Sequence, residues 1–257
     1  MDLGNRIKKY EYKTRIYLNK KRPIIIRLDG RTFHNFTKKF KKPFDLIFIN
    51  TMWQTAQYLC ANISGCKIAY VQSDEISLLL NNYENPNTET WFGGNVQKIV
   101  SISASIATLN FNYNFKNFLF GKYSNSATPI YISKIDKAMF DSRVFNLSKN
   151  EVCNYFIWRQ LDCIRNSINS IGRHYFNHKQ MQNKNCEEIK NMLQKEKGII
   201  IQNDYKLYEQ RGACIIKQKY MKENPLDSNL VCERTKWIVD DIIPNFTEDK
   251  NYIEKYI

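Results

Sequence analysis

The chain has 257 residues and a mass of 30.6 kDa, a length that suits one large or two small domains and excludes a disulfide-stapled mini-protein. Hydrophobic residues make up 43% and charged residues 25%, a balance that excludes a mostly disordered chain. Lys and Arg number 39 against 25 Asp and Glu, which leaves a net charge of +14. That surplus favours a polyanionic partner such as nucleic acid, a nucleotide or an anionic membrane. Codon usage biased towards Lys, Asn and Ile would produce the same composition, so charge alone does not identify the partner.

The cysteines and the N-terminal segment indicate the compartment. The seven cysteines include no CxxC pair, and with three histidines they supply no zinc-binding spacing. Free thiols are typical of a reducing compartment. The N-terminal residues contain no apolar signal segment, and no apolar run approaches the length of a membrane span. We therefore expect a soluble intracellular protein, in the cytoplasm rather than the mitochondrion.

The first half of the chain predicts alternating strands and helices, from short β-branched or apolar runs and from apolar residues at helical spacing. The predicted strands are residues 23–30, 68–71, 76–80 and 143–145, the predicted helices are 44–60 and 96–109, and a turn-rich surface loop covers 81–94. The order strand–helix–strand–strand–helix–strand is the split βαβ pattern of ferredoxin-like folds. We therefore predict an α+β fold, with a βαββαβ antiparallel sheet that carries its helices on one face.

The last third of the chain is predicted to be mainly helical. Ser148 and Glu151 predict a capping box at the start of a long helix. That helix has an apolar stripe that we expect to face the core, at Ile157, Leu161, Ile164, Ile168 and Ile171. The opposite face is by itself typical of a solvated surface and carries Arg159, Asp162, Asn166 and Arg173. A further helix is predicted at 186–197, and short strands at 213–216 and 237–239. The predicted domains are a catalytic domain over residues 1–147 and a helical C-terminal region with short strands over 148–257.

Asp29, Asp74 and Glu75 are the candidate metal-binding and catalytic acids. Asp29 lies near the end of the first predicted strand, and the other two occupy the tip of the following hairpin. In a ferredoxin-like sheet that strand lies beside the hairpin, so we expect the three carboxylates to converge on one edge. Clustered carboxylates repel one another unless a cation neutralises them, and oxygen ligands suit Mg²⁺. Two such ions about 3.5–4 Å apart would activate an attacking hydroxyl and stabilise a leaving phosphate oxygen. Acids are also common in turns, so an alternative is that these are only turn residues.

The segment after Asp29 offers groups that bind phosphate. Residues 30–34 present successive backbone N–H groups, and four lysines follow within residues 38–42. A backbone turn with nearby lysines can hold a triphosphate, although at least two of these lysines are expected to be only solvated. The chain has no Walker-type or Rossmann glycine-rich segment. His34 is the one histidine near the acids, which disfavours a Ser-His-Asp or Cys-His site.

Three motifs, in this order, make the sequence resemble the tRNA-His guanylyltransferase-like family, also called the 3′–5′ polymerases. The first is Arg-Leu-Asp-Gly-Arg-Thr-Phe-His at residues 27–34, the second is Gln-Ser-Asp-Glu at 72–75, and the third is Trp-Arg-Gln-Leu-Asp at 158–162. The resemblance extends from about residue 6 to the C-terminus. It is strongest in the first 110 residues.

The resemblance implies a polymerase-type palm and the template-dependent addition of nucleotides to the 5′ end of tRNA. The tRNA 5′-phosphate is activated, by adenylylation with ATP or as a triphosphate, and the 3′-hydroxyl of the incoming NTP then attacks it. The implied cofactors are two Mg²⁺ ions, and the implied substrates are ATP, GTP and other NTPs. The implied partner is a tRNA that is 5′-truncated or 5′-monophosphorylated, and the implied assembly is a homotetramer.

Carried over by position, the resemblance implies the roles of single residues. Asp29, Asp74 and the backbone carbonyl of Gly30 would hold the Mg²⁺ ions, and Glu75 would support that cluster, so the three acids are the predicted catalytic residues. The predicted nucleotide contacts are Gly30, Arg31, Thr32, Phe33, His34, Lys42, Asp45, Ser73 and Lys98. The predicted RNA contacts are Arg27, Arg159, Asp162 and Asn166.

Two departures from the family pattern favour tRNA repair. Guanylyltransferases proper carry His-Ile-Asn-Asn just after the third motif, whereas this chain has Ile-Arg-Asn-Ser at residues 164–167. The basic residues that the family often has before the Lys98 position are here Gly93, Gly94 and Asn95. Both differences resemble the like-protein branch, which repairs 5′-truncated tRNAs by templated addition. We therefore expect repair, with the addition of a single guanosine to tRNA-His as the alternative.

Two other classes of protein stay open. A non-catalytic tRNA-binding protein on a palm fold would keep the basic surface but would not need the three acids, all of which are present. A nucleotide cyclase, or another palm-type nucleotidyl enzyme, would keep the metal site but would not need a charge of +14. Binding to RNA through many phosphates weakens steeply with salt, which would separate these classes.

Overall fold

The computed structural model describes residues 2–81, 88–224 and 227–257, so the loop predicted for residues 81–94 lies partly outside the described residues. The strands are β1 (Ile24–Gly30), β2 (Cys66–Gln72), β3 (Glu75–Leu80), β4 (Phe140–Asn146), β5 (Ala213–Asn224) and β6 (Asp227–Asp240). The helices are α1 (Leu3–Tyr12), α2 (Phe33–Phe36), α3 (Leu46–Asn62), α4 (Val96–Phe120), α5 (Pro129–Ile132), α6 (Lys149–Tyr175), α7 (His178–Met181), α8 (Cys186–Lys197), α9 (Ile201–Asp204), α10 (Leu207–Arg211) and α11 (Asn251–Glu254). Within these ranges no helix is long and apolar enough to cross a membrane.

The described strands form one antiparallel sheet in the order β4-β1-β3-β2-β5-β6. The first four strands have the ferredoxin-like order, which confirms the predicted α+β palm. In the register of β1, Asp29 lies opposite Glu75 of β3 on one side and opposite Asp141 of β4 on the other. The predicted short C-terminal strands are much longer than expected, and β5 pairs with β2 through residues 213–215. The C-terminal part of the chain therefore extends the same sheet.

Side-chain alternation along the strands divides the sheet between two cores. Ile24, Ile26 and Leu28 pack against α3 and α4, which lie together on one face as predicted. Ile25, between them, belongs to the second core, where α6 covers the opposite face. A third cluster joins the C-terminal half of α6 to α8 and α9. Both faces of the palm are therefore buried, and β1 lies between them.

The predicted core stripe of α6 is wrong at Leu161. Leu161 is 52% exposed, whereas Phe156 is fully buried against the sheet. The other members of the stripe are partly buried against the cores before Ile168 and buried from Ile168 onwards. Polar side chains on the sheet face above β3 pair with the polar side of α6. The periodicity of one helix does not reveal partners that lie on another element. The predicted capping box is also not formed, since the Ser148 side chain makes no capping hydrogen bond.

The corrected orientation of α6 can be tested by truncating one residue from each side. Phe156→Ala should lower the free energy of unfolding by about 3–5 kcal/mol, because it opens a cavity in the second core. Leu161→Ala removes a half-exposed side chain and should change it by less than about 0.5 kcal/mol. Urea denaturation of both variants measures the difference. If Leu161→Ala destabilises the protein as much as Phe156→Ala does, the orientation of α6 described here is wrong.

Candidate functional site

The first and second sequence motifs meet where β1 ends beside the turn between β2 and β3. The Gly30 backbone N–H donates to the Asp74 main-chain oxygen at 3.1 Å. Ser73, at a left-handed φ of 47°, donates its hydroxyl to Asp74 Oδ1 at 3.1 Å. A Cβ at position 30 would overlap the Phe33 ring, so glycine is required for the chain to turn here. The turn is thereby held against the end of β1, with Asp29 and Asp74 close together.

The Asp74 carboxylate is electrostatically strained in the absence of a cation. Burial, and after it the negative charge of Asp29, raises the pKa of Asp74 from 3.8 to about 6. Carboxylate and carbonyl oxygens are the donors that Mg²⁺ prefers, so Asp29, Asp74 and the Gly30 carbonyl fit that ion. Among the described residues there is no group of three or more His, Cys, Asp or Glu side chains that could hold a metal. A bound ion would therefore need further oxygens from a nucleotide or from water.

The third predicted acid, Glu75, is directed into the protein. Its carboxylate accepts two hydrogen bonds from Arg159, from Nε at 2.8 Å and from Nη2 at 2.9 Å. The Ser77 hydroxyl donates to Glu75 Oε1 at 3.3 Å, and it also bonds the Tyr155 hydroxyl at 2.7 Å. The structure thus brings together two of the three predicted carboxylates. Glu75 instead anchors β3 to α6 directly next to Asp74.

The predicted RNA contacts on α6 are largely occupied within the protein. Arg159 is buried, with 7% exposure, and although burial alone would lower its pKa, the ion pairs with Glu75 and Asp162 raise it. Asp162 also pairs with Arg165 and accepts from Asn166 at 3.3 Å. The expectation of a solvated face is therefore wrong for Arg159. That Arg159, Asp162 or Asn166 contacts RNA stays a prediction, and for Arg159 the burial argues against it.

Arg27 faces the same side of the sheet as Glu75, since β1 and β3 pair with Arg27 opposite Ser77. Its guanidinium lies 5.8 Å from the ring centroid of Trp158, which is 54% exposed. The buried Nε of Arg27 has no hydrogen-bond partner among the described residues. Arg27 is therefore half-buried beneath the exposed indole of Trp158. That Arg27 contacts RNA stays a prediction.

A cavity of about 260 Å³ opens beside the turn that carries Asp74. Four of the predicted contact residues line it, and they come from three separate segments: Lys42, Asp45, Ser73 and Asn166. Its apolar walls include Phe44, Trp53 and Tyr208, and the last two rings meet edge to face at 5.0 Å. Polar groups at one side and aromatic rings at another are typical of a site for a small molecule with a flat apolar part. Trp53 was not among the predicted site residues, because its helical spacing indicates only a core position. Nothing in the sequence pattern indicated that Tyr208 belongs to the site.

Some predicted nucleotide contacts have structural roles. Phe33 is 3% exposed and packs its ring 5.0 Å from those of Phe36 and Phe140, so only its backbone can contact a nucleotide. Asp45 caps α3 by accepting from the Phe48 N–H at 2.9 Å, and it also accepts from the Tyr131 hydroxyl. These interactions leave the Asp45 carboxylate buried in the wall of the cavity, where its role is to shape the segment that carries Lys42.

The remaining predicted nucleotide contacts differ in their distance from the acids. The side chains of Arg31 and His34 are exposed next to Gly30, and Thr32 has a left-handed φ of 54°. Lys98 is exposed in the first turn of α4. Ten residues further along that helix, Thr108 accepts from the Phe140 N–H, and Phe140 pairs with Gly30. Lys98 therefore lies about 15 Å along the helix axis from the level of Gly30, so the structure does not bring it to the acids of its own chain.

The sequence is similar to that of known proteins of one family. The family model described as Thg1, tRNAHis guanylyltransferase, matches residues 4–148. A protein of Acanthamoeba polyphaga mimivirus is 28% identical over 99% of this chain and 90% of its own length. The tRNA(His) guanylyltransferase of Debaryomyces hansenii is 27% identical over 78% of this chain and 76% of its own.

Two solved structures are similar along most of the chain. A bacterial tRNA(His) guanylyltransferase (Thg1)-like protein in complex with ATP is 39% identical, with a TM-score of 0.84 and coverage of 100% of this chain and 99% of that one. The tRNA(His) guanylyltransferase of Saccharomyces cerevisiae is 23% identical, with a TM-score of 0.65 and coverage of 81% and 91%, and shares the fold.

The raised pKa of Asp74 leads to a prediction about the stability of the metal-free protein. Its pKa is higher in the folded than in the unfolded chain, so the folded state binds the proton more tightly and this group opposes folding as pH rises through about 6. In EDTA at pH 7, Asp74→Asn should raise the free energy of unfolding by about 1–3 kcal/mol. The gain should vanish near pH 4. Thermal or urea unfolding at the two pH values measures it, and a gain that is independent of pH would contradict the assignment.

A second prediction concerns the contribution of the buried Arg159–Glu75 ion pair to stability. Arg159→Met leaves the Glu75 carboxylate buried without its cation and should lower the free energy of unfolding by about 3–5 kcal/mol. The double variant Glu75→Gln/Arg159→Met removes the uncompensated charge and should recover at least half of that loss. Arg165→Met serves as the control, because Arg165 is 65% exposed and its ion pair should contribute less than about 1 kcal/mol. If the double variant is no more stable than Arg159→Met, the unpaired Glu75 carboxylate is not the cause of the destabilisation.

Proposed function

The chain belongs to the tRNAHis guanylyltransferase (Thg1) family, and we propose that it is a nucleotidyltransferase that extends the 5′ end of tRNA by template-dependent 3′–5′ addition. The observation that carries the proposal is the meeting of Asp29 and Asp74 at one edge of a palm sheet, beside a cavity lined by Lys42, Ser73 and Asn166. A non-catalytic palm would have no reason to keep two carboxylates close enough to raise a pKa.

The proposed reaction has two steps. In the first, an oxygen of the tRNA 5′-phosphate attacks the α-phosphorus of ATP, and pyrophosphate leaves. In the second, the 3′-hydroxyl of an incoming NTP attacks the activated 5′-phosphorus, AMP leaves, and the hydroxyl proton is lost to solvent or base. When the tRNA carries a 5′-triphosphate, only the second step is needed and pyrophosphate is the leaving group. Both steps place several negative charges next to Asp29 and Asp74.

Each step needs charge neutralisation and alignment from the protein. Asp29, Asp74 and the Gly30 carbonyl would hold the Mg²⁺ ions, which supply activation of the attacking oxygen and stabilisation of the leaving one. The exposed Arg31 and Lys42 would pair with phosphate oxygens that no carboxylate can approach. The aromatic walls of the cavity would hold a base and exclude water from one side of the nucleotide.

Repair of truncated tRNA is the form of the reaction that we propose. Residues 164–167 carry no histidine, and residues 93–95 carry no basic side chain, both of which depart from the guanylyltransferase pattern. The bacterial Thg1-like protein matches this chain over its whole length, which supports the like-protein branch. The addition of one guanosine to tRNA-His is the second candidate, because the matching family model carries that description.

A primer-extension assay tests the proposal. The protein is incubated with Mg²⁺, ATP, labelled NTPs and a tRNA transcript that lacks its first nucleotides. Asp29→Ala and Asp74→Ala should each lower nucleotide addition by more than about 100-fold, whereas tRNA binding in a filter assay should remain measurable. Glu196→Ala, which removes an exposed carboxylate on α8, is the matched control and should leave activity unchanged.

The products distinguish the candidates. Extension that copies the 3′ strand of the acceptor stem on several tRNAs supports repair, and one untemplated guanosine on tRNA-His alone supports guanylylation. Full activity of both aspartate variants would overturn the assignment of the site. Binding without any extension would make the protein a non-catalytic RNA-binding palm.

A further inference from the structure

The third sequence motif, residues 158–162, divides its side chains between the interior and the surface. Arg159 and Gln160 are buried and hydrogen-bonded within the protein, Arg159 to Glu75 and Gln160 to main-chain groups. Trp158 and Leu161 are 54% and 52% exposed. Residues three apart on a helix are neighbours on its surface, so these two side chains form one apolar patch. We call Trp158 and Leu161 together the outer platform.

The ring of Trp158 is held on its protein side. The guanidinium carbon of Arg159 lies 4.3 Å from the ring centroid, and that of Arg27 lies 5.8 Å from it. The Tyr155 ring meets the indole edge to face, with the centroids 6.0 Å apart. Because the ion pair with Glu75 fixes Arg159, the cation beneath the indole is fixed as well. The ring is therefore oriented before a ligand arrives, which lowers the entropic cost of stacking on its exposed surface.

The outer platform lies next to the acids. Arg27 and Asp29 are two residues apart on β1, so their side chains share a face of the sheet about 7 Å apart. Trp158 contacts Arg27, so it lies about one strand step from the level of Asp29. The cavity beside the Asp74 turn takes its strand residues from β2, and β3 separates β2 from β1. The platform is therefore a second aromatic surface, on the β1 side of the acids.

The form of the platform favours a nucleobase of an RNA over a free mononucleotide. One base stacked on an aromatic side chain strengthens binding about 5-fold to 150-fold. By itself, such a contact corresponds to a Kd above about 1 mM. An open surface of this kind therefore does not hold a free nucleotide, whereas an RNA bound through its other nucleotides can place a base there.

The surroundings of the platform disfavour a protein partner. The exposed side chains of this part of α6 follow one another as Asn154, Trp158, Leu161 and Arg165. The apolar pair thus has a polar residue at each end, whereas the core of a protein interface is larger and more apolar.

We propose that the outer platform stacks on a nucleobase at the reacting end of the RNA substrate. The proposal rests on the proposed function for the identity of that substrate, and it adds a contact with a base on the side of the acids away from the cavity. The base belongs to the 5′-terminal nucleotide or to the unpaired nucleotide opposite it on the 3′ strand. Stacking there orients the 5′-phosphate towards Asp29, takes no part in bond formation, and accepts any base.

The binding test compares two replacements of Trp158. Trp158→Leu keeps an apolar side chain but loses the flat ring, and should raise the Kd for a 5′-truncated tRNA about tenfold. Trp158→Phe keeps a ring and should raise the Kd by less than about threefold. The slope of log K against log salt should be the same as in the parent, because stacking releases no counterions. Fluorescence anisotropy with labelled tRNA at several salt concentrations measures both quantities.

Two further variants accompany this comparison. Leu161→Ala shortens the other side chain of the platform and should raise the Kd about threefold, so it tests the platform without disturbing the indole. Tyr58→Leu, which removes a 47% exposed ring from α3, is the matched control and should leave the Kd unchanged. Thermal unfolding of each variant establishes that it is folded.

A fluorescent base locates the stacked nucleotide. 2-Aminopurine loses fluorescence when it stacks, so it is placed in the truncated tRNA at the 5′-terminal position or at the opposite position of the 3′ strand. At one of the two positions the parent and Trp158→Phe should quench it on binding, and Trp158→Leu should quench it less. The same label in the anticodon loop should respond equally to all three proteins.

These measurements separate the platform from the proposed function, because they need binding and not catalysis. If the parent binds tRNA and extends no RNA, the proposed function fails, while the outer platform is still judged by affinity and by quenching.

Four results would overturn the platform proposal. They are equal weakening by Trp158→Leu and Trp158→Phe, no weakening by Trp158→Leu and Leu161→Ala, quenching at both end positions that Trp158→Leu leaves unchanged, and a change of oligomeric state in Trp158→Leu without loss of tRNA affinity. The last result, measured by sedimentation, would make the platform a protein interface.

Discussion

The bidentate ion pair between Arg159 and Glu75 is the interaction on which the geometry of the site depends. It joins the middle of α6 to the first residue of β3, one position after Asp74. Burying two charges is costly unless their hydrogen-bonding groups are satisfied, and here Ser77 and Asp162 complete the set. The pair therefore fixes the turn of the hairpin from behind, and it leaves the next carboxylate directed towards the end of β1.

The site combines a local excess of negative charge with a chain that is strongly basic overall. Burial and the negative charge of Asp29 raise the pKa of Asp74, which favours a cation at this edge of the sheet. Exposed positive charge lies elsewhere, for example on the residues that follow Gly30 and on the outer part of the β5–β6 pair. Negative and positive charges are thereby kept apart on one sheet.

The sequence was sufficient for most of the palm and for the position of its acids. Apolar runs and their spacing predicted β1, the hairpin and the helices of one face, because each element buries a face whose period is local. It failed where the partner of a residue lies far along the chain. The helical pattern alone places Leu161 in the core and Arg159 on a solvated face, because it does not include Glu75, which lies 84 residues away in the chain. Asp45 and Phe33 match the family motif, yet cap a helix and fill the aromatic core.

By itself, then, the sequence determined the order of the elements, the family resemblance and the pair of acids at neighbouring strand ends. Motifs carry this information because backbone turns and strand alternation act over a few residues. Only the tertiary structure decided that Glu75 belongs to a buried ion pair, that Lys98 lies about 15 Å along α4 from the level of Gly30, and that β5 and β6 extend the same sheet. Those outcomes depend on which surfaces pack together. Packing brings into contact residues that are far apart in the chain, so local sequence patterns do not predict it.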